Sequence, residues 1–333
     1  MGRLFFFLII VCTVIYSLLN PGTTNTIVLE TLSLWLLMVL PSILPMYLLS
    51  HFLIRIPLFT KVLYPLLKPI LHLENHTSCA IYLVSILAGN PTAASLIASA
   101  ADKNLISKEE ANRLVKFSSF VSPLFIIAFS NKLHPGISLF FIFSQILASI
   151  LIANFLPSNK GNRAKIEHSI TTEAIGEILS SAPSVLLNIG VTMVMVNIIK
   201  APLLKLMNFN SFYLKYILSL LEISTGLNDI INASLPLTTS MILFSILFSL
   251  SGVAIHLQVI TVISKKKISY TNFFWYRLIH MAIALTIILF MIFHLVLIIL
   301  IVIGLIILIN SLVKKKEKVL WQRVLPPSTN SFT

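Results

Sequence analysis

Charge is scarce in this sequence. Of its 333 residues, 11% are Asp, Glu, Lys or Arg, against roughly 25% in an ordinary soluble domain. Acid is scarcest, with 11 Asp and Glu beside 24 Lys and Arg. So few charges cannot cover a soluble globule. A soluble enzyme, a nucleic-acid-binding module and a disordered tail are therefore excluded as the main identity. Cysteine occurs twice, as Cys12 and Cys79, both in or beside apolar runs, so no disulfide framework is implied. No His-Glu-x-x-His, Gly-x-Ser-x-Gly, Walker A or Gly-x-Gly-x-x-Gly pattern occurs. An intramembrane enzyme or an ATP-driven pump subunit is disfavoured, and no catalytic residue is assigned. His72, Glu74 and His76 lack a second ligand cluster and read as a solvated loop, so no metal or cofactor is expected.

What the chain has is hydrophobe, at 57% of residues, with a mean hydropathy of +0.97. That is material for about eight to ten helical segments at roughly 20 residues per crossing. The expected fold is all-α: a polytopic membrane protein whose direct partners are lipid and a small-molecule substrate. Homo-oligomers are compatible with it. The net charge of +13 does not point to nucleic acid, because Lys and Arg sit in short runs between apolar stretches, as the positive-inside rule requires.

The order of segments reads as follows. Residues 1–20 resemble a signal peptide but lack an Ala-x-Ala-like site, and are read as an anchor helix. Residues 27–133 form a first repeat, 134–173 a connecting helix and cytoplasmic loop, and 174–263 a second repeat. Residues 271–310 are C-terminal membrane segments, and 311–333 a basic tail. With Arg3 inside, the rule keeps the loop bearing Lys103, Lys108, Arg113 and Lys116 inside only if stretch 78–101 is re-entrant. Lys265-Lys266-Lys267 stays inside only if 212–235 is re-entrant too. This leaves Lys200, Lys205 and Lys215 outside, against the rule. The long run 273–309 is expected to give an interfacial segment at Arg277 and His280, then one tilted crossing. The alternative is a hairpin.

The two halves echo one another. Pro41-Ser42-Ile43-Leu44 matches Pro183-Ser184-Val185-Leu186, and Phe117-Ser118-Ser119 matches Phe248-Ser249-Leu250. With opposite entry sides, this is an inverted repeat with two broken-helix hairpins, a common transporter plan. Broken helices survive in a bilayer only when buried or lining a cavity. Each break here carries helix-start chemistry: Gly89-Asn90-Pro91-Thr92, Ser122-Pro123, Ser224-Thr225-Gly226 and Ser251-Gly252. A helix start presents free N–H groups and a positive dipole end. These eleven residues are therefore the candidate substrate-binding set. Asn90, Thr92, Ser224 and Thr225 are expected to face one another. The alternative is kinks packed by neighbours. Glu222, an acid inside an apolar stretch, is the candidate for a coupling ion or proton, and His256 is a second candidate. His256 and Gln258 lie two apart and do not share a helix face.

Several segments, in this order, resemble the YlbJ-type sporulation integral membrane proteins, within the wider group carrying the nucleoside-recognition (Gate) domain. They are Leu40-Pro41-Ser42-Ile43-Leu44-Pro45, Gly89-Asn90-Pro91-Thr92, Lys108-Glu109-Glu110-Ala111-Asn112-Arg113-Leu114, Ser122-Pro123-Leu124-Phe125, Glu222-Ile223-Ser224-Thr225-Gly226, His256-Leu257-Gln258-Val259, and Arg277 with His280. The resemblance spans roughly 30–290. It implies a protein of endospore-forming bacteria, in the cytoplasmic membrane or the membranes around the forespore. It also implies a cargo of small metabolites such as dipicolinate. The expected function is a secondary transporter or facilitator of a small, polar, anionic metabolite. The alternative is a non-transporting membrane protein of spore assembly.

Overall fold

A computed structural model describes residues 2–53, 56–73, 76–157, 172–206, 212–293, 300–310 and 313. They form sixteen helices and, among the described residues, no strand. The first eight are α1 (Gly2–Leu19), α2 (Pro21–Leu34), α3 (Leu40–Leu53), α4 (Pro57–Leu71), α5 (His76–Ala88), α6 (Thr92–Asp102), α7 (Lys108–Phe117) and α8 (Pro123–Ser130). The rest are α9 (Ser138–Phe155), α10 (Thr172–Leu206), α11 (Phe212–Ser219), α12 (Ile223–Ile231), α13 (Leu237–Leu250), α14 (Gly252–Ile263), α15 (Tyr270–Ile292) and α16 (Leu300–Asn310). A π-helical turn, Trp35–Val39, joins α2 to α3 just before Pro41. Five helical stretches are long and apolar enough to cross a membrane: Pro21–Leu53, Ser138–Phe155, Ile178–Lys205, Leu237–Ile263 and Tyr270–Ile292. Large apolar side chains such as Leu37, Leu139, Val191 and Trp275 stand exposed on them, as lipid-facing surfaces do. The chain is an integral membrane protein.

Local chemistry sets the helix starts. Proline opens α2, α4 and α8 at the first turn, where its missing N–H is not needed. The stretch expected to be a polar loop after Asp102 contains α7. There Ser107 accepts from the Glu110 N–H at 3.1 Å, and Ala111, Leu114 and Val115 face the core. The spacing Ser-x-x-Glu is a capping box, which the basic residues around it obscured.

One end of the molecule gathers four polar segments. Arg113 on α7 donates to the carbonyls of Leu71, Pro157 and Ala153. Asn112 accepts from the Ser269 N–H at 2.8 Å, and Lys266 pairs with Asp102 at 2.6 Å. The described parts of the segments expected inside thus share one end. Lys160, Arg163 and Lys165 lie outside the described residues. At the other end, α10 brings Lys205 to Asn20 at 2.8 Å. Its 35 residues rise about 52 Å. Lys200, expected as an outside cation, is buried and paired with Asp229 at 3.3 Å. It lies within α10 and not in a loop, so it is not among the loop charges that the positive-inside rule counts.

The run 273–309 differs from its expectation. α15 ends at Ile292 and, past residues 294–299, which lie outside the described residues, α16 brings Asn310 to donate to Asn154 Oδ1 at 2.6 Å. Asn154 lies at the Arg113 end, where α15 begins, so the run folds back on itself. No Pro or Gly lies between the two helices, which is why the sequence hid it. Arg277 and His280 are 2% and 1% exposed. They are interior, not interfacial.

Candidate functional site

Four helices stop short inside the apolar interior, and their loose ends pair with one another. Between α5 and α6, Gly89 adopts φ +71°, and a Cβ there would stand 2.7 Å from the Ser122 nitrogen. Only glycine allows that approach. The Asn90 N–H donates to the Phe120 carbonyl at 2.9 Å, and the Asn90 side chain donates to the Ser119 hydroxyl. The break between α5 and α6 is therefore closed by the break between α7 and α8. In the second half, the N–H groups of Val253 and Ala254 donate to the carbonyls of Leu220 and Leu221, each at 3.0 Å. The break between α13 and α14 closes the one between α11 and α12. Buried backbone groups must be paired, and each half meets that demand internally.

The four helix starts beyond these breaks border one cavity. Asn90 and Pro91 precede α6, Ser122 precedes α8, Glu222 and Ser224 flank the start of α12, and Ala254 lies in the first turn of α14, with Gln258 further along it. The remaining lining is apolar, including Ile43, Phe125 and Met193. The volume is about 30 Å³, room for roughly two water molecules. Glu222 is 1% exposed. Its two carboxylate oxygens accept from the N–H groups of Ser224 at 3.0 Å and Thr225 at 2.7 Å, so it caps α12 and faces the cavity at once. Ser122 Oγ and Gln258 Oε1 are buried with no hydrogen-bond partner among the described residues.

Of the candidate set, Asn90, Pro91, Ser122, Glu222 and Ser224 meet here. Gly89 and Gly252 hold the backbones of adjoining breaks together. Gly226 packs on Ser219, where a Cβ would be 2.7 Å from the carbonyl oxygen. Pro123 sets the start of α8. Thr92 is buried off the cavity, and Ser251 is buried in a left-handed conformation that ends α13. The expectation that Thr92 and Thr225 face the cavity fails. Thr225 turns its hydroxyl to Asn197 Oδ1 at 3.1 Å, because the start of α12 points its third residue away from its second. His256 lies in a separate groove of about 290 Å³ between α14 and α15. There its ring nitrogens meet the Tyr270 hydroxyl at 2.9 Å and the Leu250 carbonyl at 2.8 Å. The two-residue spacing of His256 and Gln258 does send them to different cavities.

Two residues lie outside the candidate set. Gln258 stands beside His256 in the sequence, and its amide in an apolar helix is the available signal. Arg277 is expected at the interface. It ties the halves together, donating from Nε to the Ser249 carbonyl at 2.8 Å and from Nη1 to the Ser119 carbonyl. Its Nη2 meets His280 Nδ1 at 2.8 Å. Its charge sits at the C-terminal ends of α7 and α13, where helix dipoles favour a cation.

No family model matches this chain, and no solved structure matches it. Over 124 residues it is 34% identical to the sporulation integral membrane protein YlbJ of Bacillus subtilis (strain 168). That match covers 36% of this chain and 29% of the relative, so the chain spans less than a third of the curated protein it matches.

Proposed function

We propose that this membrane protein is a secondary transporter or facilitator for a small polar anion, acting in endospore formation in the cytoplasmic or forespore-surrounding membrane. The observation that carries the reading is the pair of buried orphans, Ser122 Oγ and Gln258 Oε1, in one cavity with Glu222. Buried polar atoms are almost always paired: the Ser122 hydroxyl can donate to an oxygen of the anion, and Gln258 Oε1, an acceptor, can take an O–H from a partly protonated acid. The similarity to YlbJ supplies the link to sporulation, and the family resemblance suggests dipicolinate-type cargo.

Charge decides the coupling. The starts of α6 and α8 turn positive dipole ends toward an anion, but Glu222 opposes it. The conflict disappears if Glu222 carries a proton when the anion binds. A protonated carboxyl still accepts the Ser224 and Thr225 N–H groups, and its O–H can donate to the solute. The reading is therefore anion–proton symport through Glu222, with no part for His256. The cavity is closed to anything larger than water, so transport requires the paired breaks to separate, as rocking halves of an inverted repeat would allow. Solute and lipid are the partners; nucleic acid has no role.

The small cavity and the fully used Glu222 carboxylate favour a second reading, in which the breaks serve packing in a non-transporting protein of spore assembly. Dipicolinate uptake into proteoliposomes decides between them. Under transport, an inward proton gradient accelerates uptake and Glu222→Gln removes the acceleration. Absence of uptake by the wild type, at either gradient, rejects the transporter reading.

A further inference from the structure

A second polar cavity, of about 230 Å³, lies between α2, α10 and α12. Unlike the central cavity, it has room for a solute of several heavy atoms. It lies toward the end of α10 where Lys205 reaches Asn20, opposite the Arg113 end. Its lining includes two acids and a base, Glu30, Asp229 and Lys200, with the amides of Asn197 and Asn228 and the side chain of Thr225. Thr225 also connects it to the centre, since its N–H donates to Glu222 Oε2.

Asn197 and Lys200 are three residues apart on α10 and share a face. Both are 6% exposed. Asn197 Oδ1 is engaged by Thr225, but Nδ2 is a buried donor with no hydrogen-bond partner among the described residues. A buried N–H left unpaired is unfavourable, so a missing acceptor is indicated. The Lys200 ammonium stands beside it, 3.3 Å from Asp229 Oδ2, and the Ser219 hydroxyl donates to the same oxygen at 3.3 Å. Glu30 is exposed.

We propose that this cavity is a binding subsite for a carboxylate-bearing solute, anchored by the Lys200 ammonium and the Asn197 amide N–H, with Asp229 as a built-in competitor. The incoming carboxylate displaces Asp229 from Lys200, and Asp229 keeps the Ser219 hydroxyl. The empty subsite has Lys200 neutralised by Asp229, while Glu30 stands exposed to solvent. Filled, it holds the solute one residue away from Glu222. Its role as an antechamber rests on the transporter reading; the binding itself does not.

The competitor gives the test a sign that a structural ion pair would not produce. The purified full chain, in nanodiscs of zwitterionic lipid, is titrated calorimetrically with succinate and with pyridine-2,6-dicarboxylate, and with succinamide as the uncharged control. Saturable binding of at least one dicarboxylate, and none of succinamide, is expected. Asp229→Asn removes the competitor and should tighten binding several-fold. Asn197→Asp keeps the Thr225 contact, deletes the donor and should weaken binding about tenfold. Lys200→Met should abolish it, and Lys200→Met/Asp229→Asn should do the same with the competing acid removed as well. The subsite is refuted if neither dicarboxylate binds the wild type. It is equally refuted if Asp229→Asn fails to tighten binding, or if Asn197→Asp binds as the wild type does. Binding without proteoliposome flux would remove the transporter reading and leave the subsite; flux without binding would do the reverse.

Discussion

In the first half of the chain the two breaks meet through uncharged groups; in the second they meet around a carboxylate. The break at 89–91 is closed by the Asn90 N–H on Phe120 and by the Asn90 amide on Ser119. The break at 220–222 is closed by Val253 and Ala254 N–H groups, and Glu222 then fills the start of α12. Backbone satisfaction is thus nearly symmetric between the halves, while charge is not. Among the described residues lining the central cavity, Glu222 is the one ionisable group. Every broken helix has the same orphan groups to satisfy, so the backbone pairing can be alike in both halves while the carboxylate lies in one of them.

The comparison breaks most completely if the tie between the halves is cut. Arg277 holds the Ser119 carbonyl in one half and the Ser249 carbonyl in the other. Charge-assisted hydrogen bonds are worth about 1.5–3 kcal/mol each, so losing two costs on the order of 3–6 kcal/mol. Arg277→Met should therefore lower the thermal midpoint in detergent more than any other single change discussed, with Arg277→Lys recovering part of the loss. A wild-type midpoint for the Met variant would show that the halves do not depend on this residue.

Glycine substitutions sharpen the difference between the halves. Gly89→Ala and Gly226→Ala each bring a Cβ within 2.7 Å of backbone, at the Ser122 nitrogen and the Ser219 oxygen respectively. Overpacking of this kind costs about 1–3 kcal/mol. Gly89 also has φ +71°, which adds about 1–2 kcal/mol for a residue with a Cβ; Gly226 lies in an ordinary helical turn. The first-half variant should melt lower than the second-half one. Equal midpoints would mean that the α12 backbone cannot shift either, and that the second half is as rigid as the first.

Much of this was legible in the sequence, because bilayer physics leaves marks. Apolar run lengths gave an all-α membrane protein. Asn90-Pro91, Ser122-Pro123 and Ser251-Gly252 do stand at helix breaks, but the caps expected there do not form: Pro91 sits one position before α6, and neither Ser122 nor Ser251 caps with its side chain. What stayed hidden depends on which residues meet. Nothing local distinguishes Arg277, buried against two carbonyls, from an arginine snorkelling to lipid headgroups. Lys200 looked like an outside charge because its partner Asp229 lies on another helix. The fold-back between α15 and α16 has no Pro or Gly to mark it. Thr225 and Ser224 are neighbours in sequence, yet a helical turn sends one to each cavity.

The smallest change to stability should come from Ser122→Ala, and it is the most informative about the cavity. Ser122 Oγ is buried, faces the cavity and has no partner among the described residues, so deleting it breaks no bond. Removing a polar group that was already unsatisfied is close to neutral or slightly stabilising, and the midpoint should move by less than about 0.5 kcal/mol. If a solute completes that hydroxyl during transport, the variant loses one hydrogen bond of about 0.5–1.5 kcal/mol, or up to about 3 against a charged group. That corresponds to a roughly two- to hundredfold drop in uptake at subsaturating dipicolinate. Glu222 is untouched, so the proton-gradient dependence should survive. The expected signature is therefore normal melting, reduced uptake and intact coupling. Normal melting with wild-type uptake would mean that no solute reaches Ser122, and the convergence of four helix starts would then be a matter of packing alone.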